Sequence, residues 1–276
     1  MLTNIRLLTE ACQKLNIRYE ILHPNSNIVK VGLKEDYFFV NYSTPLLSQS
    51  MAQIIKDKEY TYQLLKDTIK QPQTRGFLYP LVEDKYKQYL NETSIDAIEA
   101  EILDSFSLPV IVKKNRGSSG RNVFCCRDKE TVRSALETIF NPNDRAWDYV
   151  AIAQEYINIQ KEYRAICLDG DLILLYEKNI DRAEFSGNLS PLHWQGAEAK
   201  YVGDRNLMAG VEQFLQPIFG VLPIKYAGFD VALDKKGTFW LIEINSHPNY
   251  SIFIRDNDER LAVEVFEKIL ISLMEY

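Results

Sequence analysis

The alternation of apolar and polar positions changes period several times along the chain. Over 3–16, Ile5, Leu8, Cys12 and Leu15 recur on one stripe, which predicts an amphipathic helix. IRYEIL at 17–22 reads as a strand, and VKVGL and YFFV, around 29–33 and 37–40, read as a hairpin whose turn holds Lys34, Glu35 and Asp36. Residues 50–69 return to a helical pattern with Ile54, Ile55, Leu64 and Leu65 inward, broken by Pro72 and Gly76 in QPQTRGF. An acidic, mostly helical stretch over 80–107 precedes the short buried strand LPVIVKK. The strand NVFCC, a helix over 128–140, a turn at NPND and the strand YVAIAQEYI follow. EYRAICL and LILLYEK form a hairpin across Asp169–Gly170. Residues 180–203 read as loop. A helix over 204–219 then leads to the strands GFDVALD and FWLIEIN, which turn at Lys235–Gly237, and a helix over 258–274 closes the pattern.

Helices and hairpins alternate here without regular strand–helix–strand units. That predicts an α+β protein rather than one doubly wound sheet. Three pieces are expected: 1–50, 51–140 and 141–276.

Composition changes this picture little. The 276 residues are 46% hydrophobic and 25% charged, ordinary for a globular chain. A formal charge of -6 argues against a surface that coats nucleic acid. The first residues carry charges inside their apolar stretch, a poor signal peptide, and no run of about 18 apolar residues is present, so a cytoplasmic protein with no membrane span is expected. Cys12, Cys125, Cys126 and Cys167 show neither metal-ligand nor disulfide-scaffold spacing and read as reduced, small apolar residues.

Four segments carry candidate chemistry. The run Arg116-Gly117-Ser118-Ser119-Gly120-Arg121-Asn122 joins two apolar strands. Glycines let a backbone approach phosphate, and hydroxyls with free N–H groups cradle it, yet a plain Gly/Ser hairpin turn accounts for the same residues. Lys113 and Lys114 end the strand before it, either as a phosphate lysine or as an edge-protecting pair. Asp230 lies in one apolar strand, and Glu243 and Asn245, two apart and so facing one side, lie in the next. Carboxylates inside apolar strands need a partner. Hard oxygen donors suit magnesium on phosphates, and a metal is favoured over ion pairs because Asn245 carries no charge. Gln154-Glu155-Tyr156-Ile157, followed by Glu162-Tyr163-Arg164, ends a strand where an adenine edge and ribose hydroxyls can be read, although an ordinary hairpin looks the same.

In this order, the segments resemble the ATP-grasp superfamily, closest to the branch of ribosomal-protein glutamate ligases, cyanophycin synthetase and the ligase half of bifunctional glutathione synthetases. The resemblance runs from about Asp57 to Pro248. It implies two α+β subdomains clasping ATP, with a short N-terminal α/β unit over 1–50. It also implies an ADP-forming ligase that makes an amide through an acylphosphate, using ATP and two Mg2+ ions, with Mn2+ as a substitute. A kinase on the same scaffold is the alternative. By the resemblance, Lys58 in Asp57-Lys58-x-x-Thr61 touches phosphate, Lys113 binds the α/β-phosphates, and Ser118, Ser119 and Gly120 form the loop over them. Glu155, Tyr156 and Ile157 form the adenine hinge and Glu162 is the ribose acid. Arg164, Lys178 and Asn188 sit near the reacting groups, and Asp230, Glu243 and Asn245 hold magnesium. Phe185 and Leu189 resemble the segment around Asn188, with Arg182 as a further oxyanion candidate and His247 as a substrate contact. Lys114 and Asn122 stand where the family has proline and glycine. The expected substrate is a small molecule or peptide, and the brevity of 1–50 implies either a reduced platform or a partner subunit, as in a homo-oligomer.

Overall fold

The computed structural model describes residues 1–117, 120, 122–144, 147–185, 187 and 190–275. Helix α1 (Thr3–Lys14) leads to strands β1 (Arg18–Ile21), β2 (Ile28–Gly32) and β3 (Asp36–Val40). These form a three-stranded antiparallel sheet in the order β1-β2-β3.

The single helix expected over 50–69 is two: α2 (Gln49–Lys56) and α3 (Lys58–Leu65). Asp57 separates them in extended conformation, and its carboxylate accepts the Tyr60 N–H at 3.0 Å as the N-cap of α3. An aspartate competes well for such a position, which an apolar count does not register. QPQTRGF is likewise more than a breaker, because Thr74–Leu78 is strand β4. Its Gly76 N–H donates to Glu59 Oε1 at 3.1 Å, so a helix side chain takes an amide that would otherwise face the open edge. The acidic stretch contains a 3-10 turn (Asp84–Tyr89) and α4 (Ile95–Ser105).

Strands β5 (Val110–Lys114) and β6 (Val123–Cys126), helix α5 (Lys129–Ile139) and strand β7 (Val150–Glu155) follow as the patterning predicts. With β4 they make an antiparallel sheet of order β4-β7-β5-β6, covered by α4 and α5 over a core of Phe77, Ile98, Val112 and Leu136. Cys126 is buried in that core while Cys125, its strand neighbour, is only partly so; burial pushes the Cys126 thiol up to about 11.

The remaining strands are β8 (Ile159–Leu168), β9 (Asp171–Asn179), β10 (Glu198–Tyr201), β11 (Tyr226–Asp234) and β12 (Phe239–Asn245), in the order β10-β9-β8-β11-β12. The stretch 180–203, expected as loop, thus contributes an edge strand. β10 is short and mostly exposed, so its alternation is weak. Helix α6 (Arg205–Val221) covers one face of this sheet, packing Val211, Leu215 and Ile218 on Ala165, Cys167, Phe229 and Val231. The closing helix is preceded by a short α7 (Ser251–Asp256), and α8 (Arg260–Glu275) completes the fold.

The opposite face of the five-stranded sheet is divided along its strands. At one end Ile166, Leu168, Leu174 and Tyr226 meet α8 and the N-terminal unit in a single core with Ile5, Leu8, Val29 and Phe39. At the other end, the same alternation on the same strands delivers charged side chains.

A candidate active site between the two sheets

The charged half of that face comes from the period of the strands. On β8, Glu162 and Arg164 point to the side of Ile166; on β11, Asp230 points to the side of Gly228 and Tyr226. Asp230 pairs in register with Arg164 on one side and with Glu243 on the other. Arg164 grips Asp230 with two nitrogens, Nε on Oδ1 and Nη2 on Oδ2, the latter at 3.0 Å. Lys178 of β9 reaches across β8 to bring Nζ within 2.9 Å of Asp230 Oδ2, and it also pairs with Glu162.

These groups are deeply buried, Asp230 to 2% exposure and Lys178 to 6%. Burial alone would raise the Asp230 carboxyl, but Arg164 and Lys178 outweigh it and hold the group well below the ordinary carboxylate range. Burial also works against the Lys178 ammonium, and Asp230 and Glu162 reverse that and raise it. For Glu162 burial wins over the pull of Lys178, and its carboxyl is raised. The charge partners of Asp230 therefore come from the strands on its other side, which a reading confined to the Asp230, Glu243 and Asn245 strands does not weigh. A carboxylate offers about four lone-pair sites and Asp230 uses three, so the ion pairs and a metal are compatible.

The facing wall comes from the four-stranded sheet. Lys113, 6% exposed, donates to Gln154 Oε1 at 2.8 Å, and Gln154 Nε2 donates to Thr74 Oγ1 at 2.8 Å. Burial, and after it the charge of Lys58, pulls the Lys113 ammonium down to about 8. Lys58, at the start of α3, donates to the carbonyls of Asn115 at 3.2 Å and Gly117 at 2.9 Å and lies 3.8 Å from Glu243 Oε2. A Cβ at Gly117 would sit 2.8 Å from Lys114 Cε, so Lys114 packs directly over the bare backbone there.

Between these walls is a cavity of about 820 Å³. Its lining gathers Lys58, Lys113, Gly120, Glu155, Tyr156, Ile157, Glu162, Arg164, Lys178, Asp230, Glu243 and Asn245, residues spread through the sequence and predicted separately. Lysine and arginine on its lining, Lys58, Lys113, Lys114, Lys161, Arg164 and Lys178, are matched in formal charge by Glu155, Glu162, Glu177, Asp181, Asp230 and Glu243. Glu155 is tied by its own N–H to Gln73 at 2.8 Å and by its carboxylate to the Gln73 N–H at 3.2 Å. Gly120 and Asn122 both have positive φ, 66° and 53°, so asparagine takes up the left-handed geometry that the missing glycine would supply.

His247 lines the cavity with its Nδ1 2.6 Å from Ser246 Oγ. Phe185 is exposed and meets Trp194 edge-on at 5.2 Å. Ser118, Ser119, Asn188 and Leu189 lie outside the described residues. Of the buried polar residues here, Gln154 and Asp57 are named within their sequence segments without a role, and Asn115 is not named; a polar residue inside or just after an apolar strand is the available signal for Gln154 and Asn115.

Glu243 and Asn245 stand side by side on β12, with Asn245 Nδ2 3.5 Å from Glu243 Oε1. Among the described residues no group of three or more His, Cys, Asp or Glu is arranged to hold a metal, so the oxygen set depends on the Asn245 amide as its third member. Its donor chemistry, two carboxylates and an amide carbonyl, suits a hard divalent cation. No described helix is long and apolar enough to cross a membrane.

Residues 56–269 match the family model of the RimK-like ATP-grasp domain. An uncharacterized protein of Mycoplasma genitalium is 29% identical over 185 residues, covering 65% of this chain, and the chain spans only 58% of that relative's length. Among solved structures, D-alanine–D-alanine ligase from Bacillus anthracis superposes with a TM-score of 0.58 at 22% identity, covering 84% of this chain and 69% of that one. A bifunctional glutathione synthetase from Pasteurella multocida gives 0.57 at 14% identity, covering 99% of this chain and 43% of that one. These are likenesses of fold.

Proposed function

The chain belongs to the RimK-like ATP-grasp family, and from that premise we propose that it is an ATP-dependent, ADP-forming carboxylate–amine ligase acting on an amino acid or peptide. The observation that carries this reading is the convergence of Lys58, Lys113, Arg164 and Lys178 on the oxygen face of Glu162, Asp230, Glu243 and Asn245 in one cavity. Such a set suits a polyphosphate with its cation and leaves cationic groups for a carboxylate.

In this reading adenine rests against Tyr156 and Ile157 and Glu162 holds ribose. Lys113, supported by Gln154, meets the α/β-phosphates and Lys58 another phosphate oxygen. Glu243, Asn245 and Asp230 would hold magnesium, proposed as two ions, which when bound would offset charge on the transferring phosphoryl group. The substrate carboxylate attacks the γ-phosphate, ADP leaves, and an amine then displaces phosphate from the acylphosphate. Arg164 and Lys178 stand fixed by Asp230 before any substrate arrives, so their charge is available to the carboxylate and the tetrahedral oxyanion without reorganisation. The family resemblance adds Asn188, which lies outside the described residues, as a further candidate near the reacting groups.

The test is ADP and phosphate release from ATP and Mg2+ with pooled amino acids and peptides. Equal ADP and phosphate, dependent on both a carboxylate and an amine, supports the ligase. A stable phosphorylated product without free phosphate selects a kinase, and no ADP with any pool removes both.

A further inference from the structure

Asn115 is 1% exposed although it opens a polar loop. Its Oδ1 accepts the Glu59 N–H at 3.1 Å, its carbonyl accepts Lys58 Nζ at 3.2 Å, and its N–H donates to the Val150 carbonyl at 3.0 Å. The next two residues are tied as closely. Arg116 donates through Nε to Asp57 Oδ2 at 3.3 Å and through its N–H to Asp148 Oδ2 at 2.9 Å, and Lys58 holds the Gly117 carbonyl at 2.9 Å.

The first turn of a helix presents N–H groups that must find acceptors outside it. In α3 Asp57 supplies one from the helix itself, and Asn115 supplies another from across the site. The second cap is thus also a tether, since it fastens the backbone leading into the glycine loop to the helix that carries Lys58. The helix pair extends the tether, because α2 packs against β12, which bears Glu243 and Asn245, and α3 packs against β4.

We infer that Asn115 is a positioning residue for the nucleotide phosphates: its side chain sets residues 115–117 against the start of α3, so that the loop backbone and Lys58 address the same phosphate group. This rests on the ATP reading of the cavity. Asn115 itself is spent on Glu59 and touches no phosphate, so it acts only through the loop and Lys58.

The test compares two ligands by calorimetry on the full chain: AMPPNP with Mg2+, which engages the loop, and adenosine, which does not. For Asn115→Ala the expected result is an AMPPNP Kd raised about tenfold, the size of one lost buried hydrogen bond, with adenosine within about twofold of wild type. If the alanine variant does not fold, Asn115→Ser, polar but one atom too short to reach that N–H, carries the same expectation. Unchanged AMPPNP affinity, or equal losses for AMPPNP and adenosine, overturns the inference. Wild-type protein that binds neither ligand removes the ATP reading itself and the inference with it.

Discussion

Lys178 on β9 lies 2.9 Å from Asp230 on β11, reaching over the whole width of β8 to do so. Asp230 thereby joins two cations that approach it from different strands, and removing it leaves both buried without their shared counter-ion. Asp230→Ala is expected to lower stability by about 3–5 kcal/mol, the cost of stranding buried charge. Lys178→Met leaves Asp230 with Arg164 and leaves Glu162 free to take up a proton, so its loss should be smaller. Urea unfolding of the two variants checks the order.

If Lys113 meets phosphate as proposed, nucleotide binding is expected to depend on pH. Its ammonium is pulled from 10.5 to about 8 in the folded chain, so between those values the unfolded chain holds the proton and the folded chain does not. Its contribution to stability therefore rises with pH across that window. Phosphate favours the charged form, so AMPPNP affinity runs the other way and falls as pH climbs through about 8. Calorimetry at pH 9 in buffers of different ionisation heat should show proton uptake on binding, and Lys113→Gln should abolish it.

Glu243 and Asn245 divide the proposed metal site from the phosphate lysines. Glu243→Gln or Asn245→Ala should raise the Mg2+ concentration needed for half-maximal AMPPNP binding by about 10–100-fold. Adenosine affinity should not move. A magnesium titration of each variant decides this, and an unchanged midpoint in both would remove the pair from the metal site.

Gly228 is closely packed beside the site. A Cβ there would stand 3.2 Å from Arg164 Cδ, 3.2 Å from Pro248 Cγ and 3.3 Å from Ile166 Cδ1. Gly228→Ala should cost about 1–3 kcal/mol by overpacking. Because Arg164 must give way by a few tenths of an ångström, it should also lower ADP release several-fold, short of the roughly hundredfold loss that a displacement of about 1 Å can bring. Thermal unfolding and turnover, measured together, test both halves.

Much of this site was legible along the chain. Lys113, Asp230, Glu243 and Asn245 are polar residues embedded in otherwise apolar strands, and such interruptions stand out against a period of two. Boundaries set by one polar side chain did not stand out: Asp57 divides a continuous helical pattern only because its carboxylate caps α3. β4 was hidden by Pro72 and Gly76, whose turn-forming character is real but here lies before and inside an edge strand. The ion pairs of Asp230 were unreadable for a different reason. Strand order brings β8 and β9 to its side, and sequence spacing does not encode which neighbour a strand will choose.

The N-terminal unit shares one core with α8, and its contacts span almost the full chain: Asn4 holds the Pro248 carbonyl at 2.8 Å, Ser251 reaches Thr3 at 2.9 Å, and Arg6 pairs with Glu259. During synthesis, therefore, α1 is made long before α8, which completes the packing around it. Ile5, Leu8 and Cys12 can meet Val29, Val31 and Phe39 early, but the part of their core that residues 262–273 supply comes only after the four-stranded sheet has its own core residues in hand. The arrangement is that of a belt, whose buckle lies far along the chain from the part that fastens it.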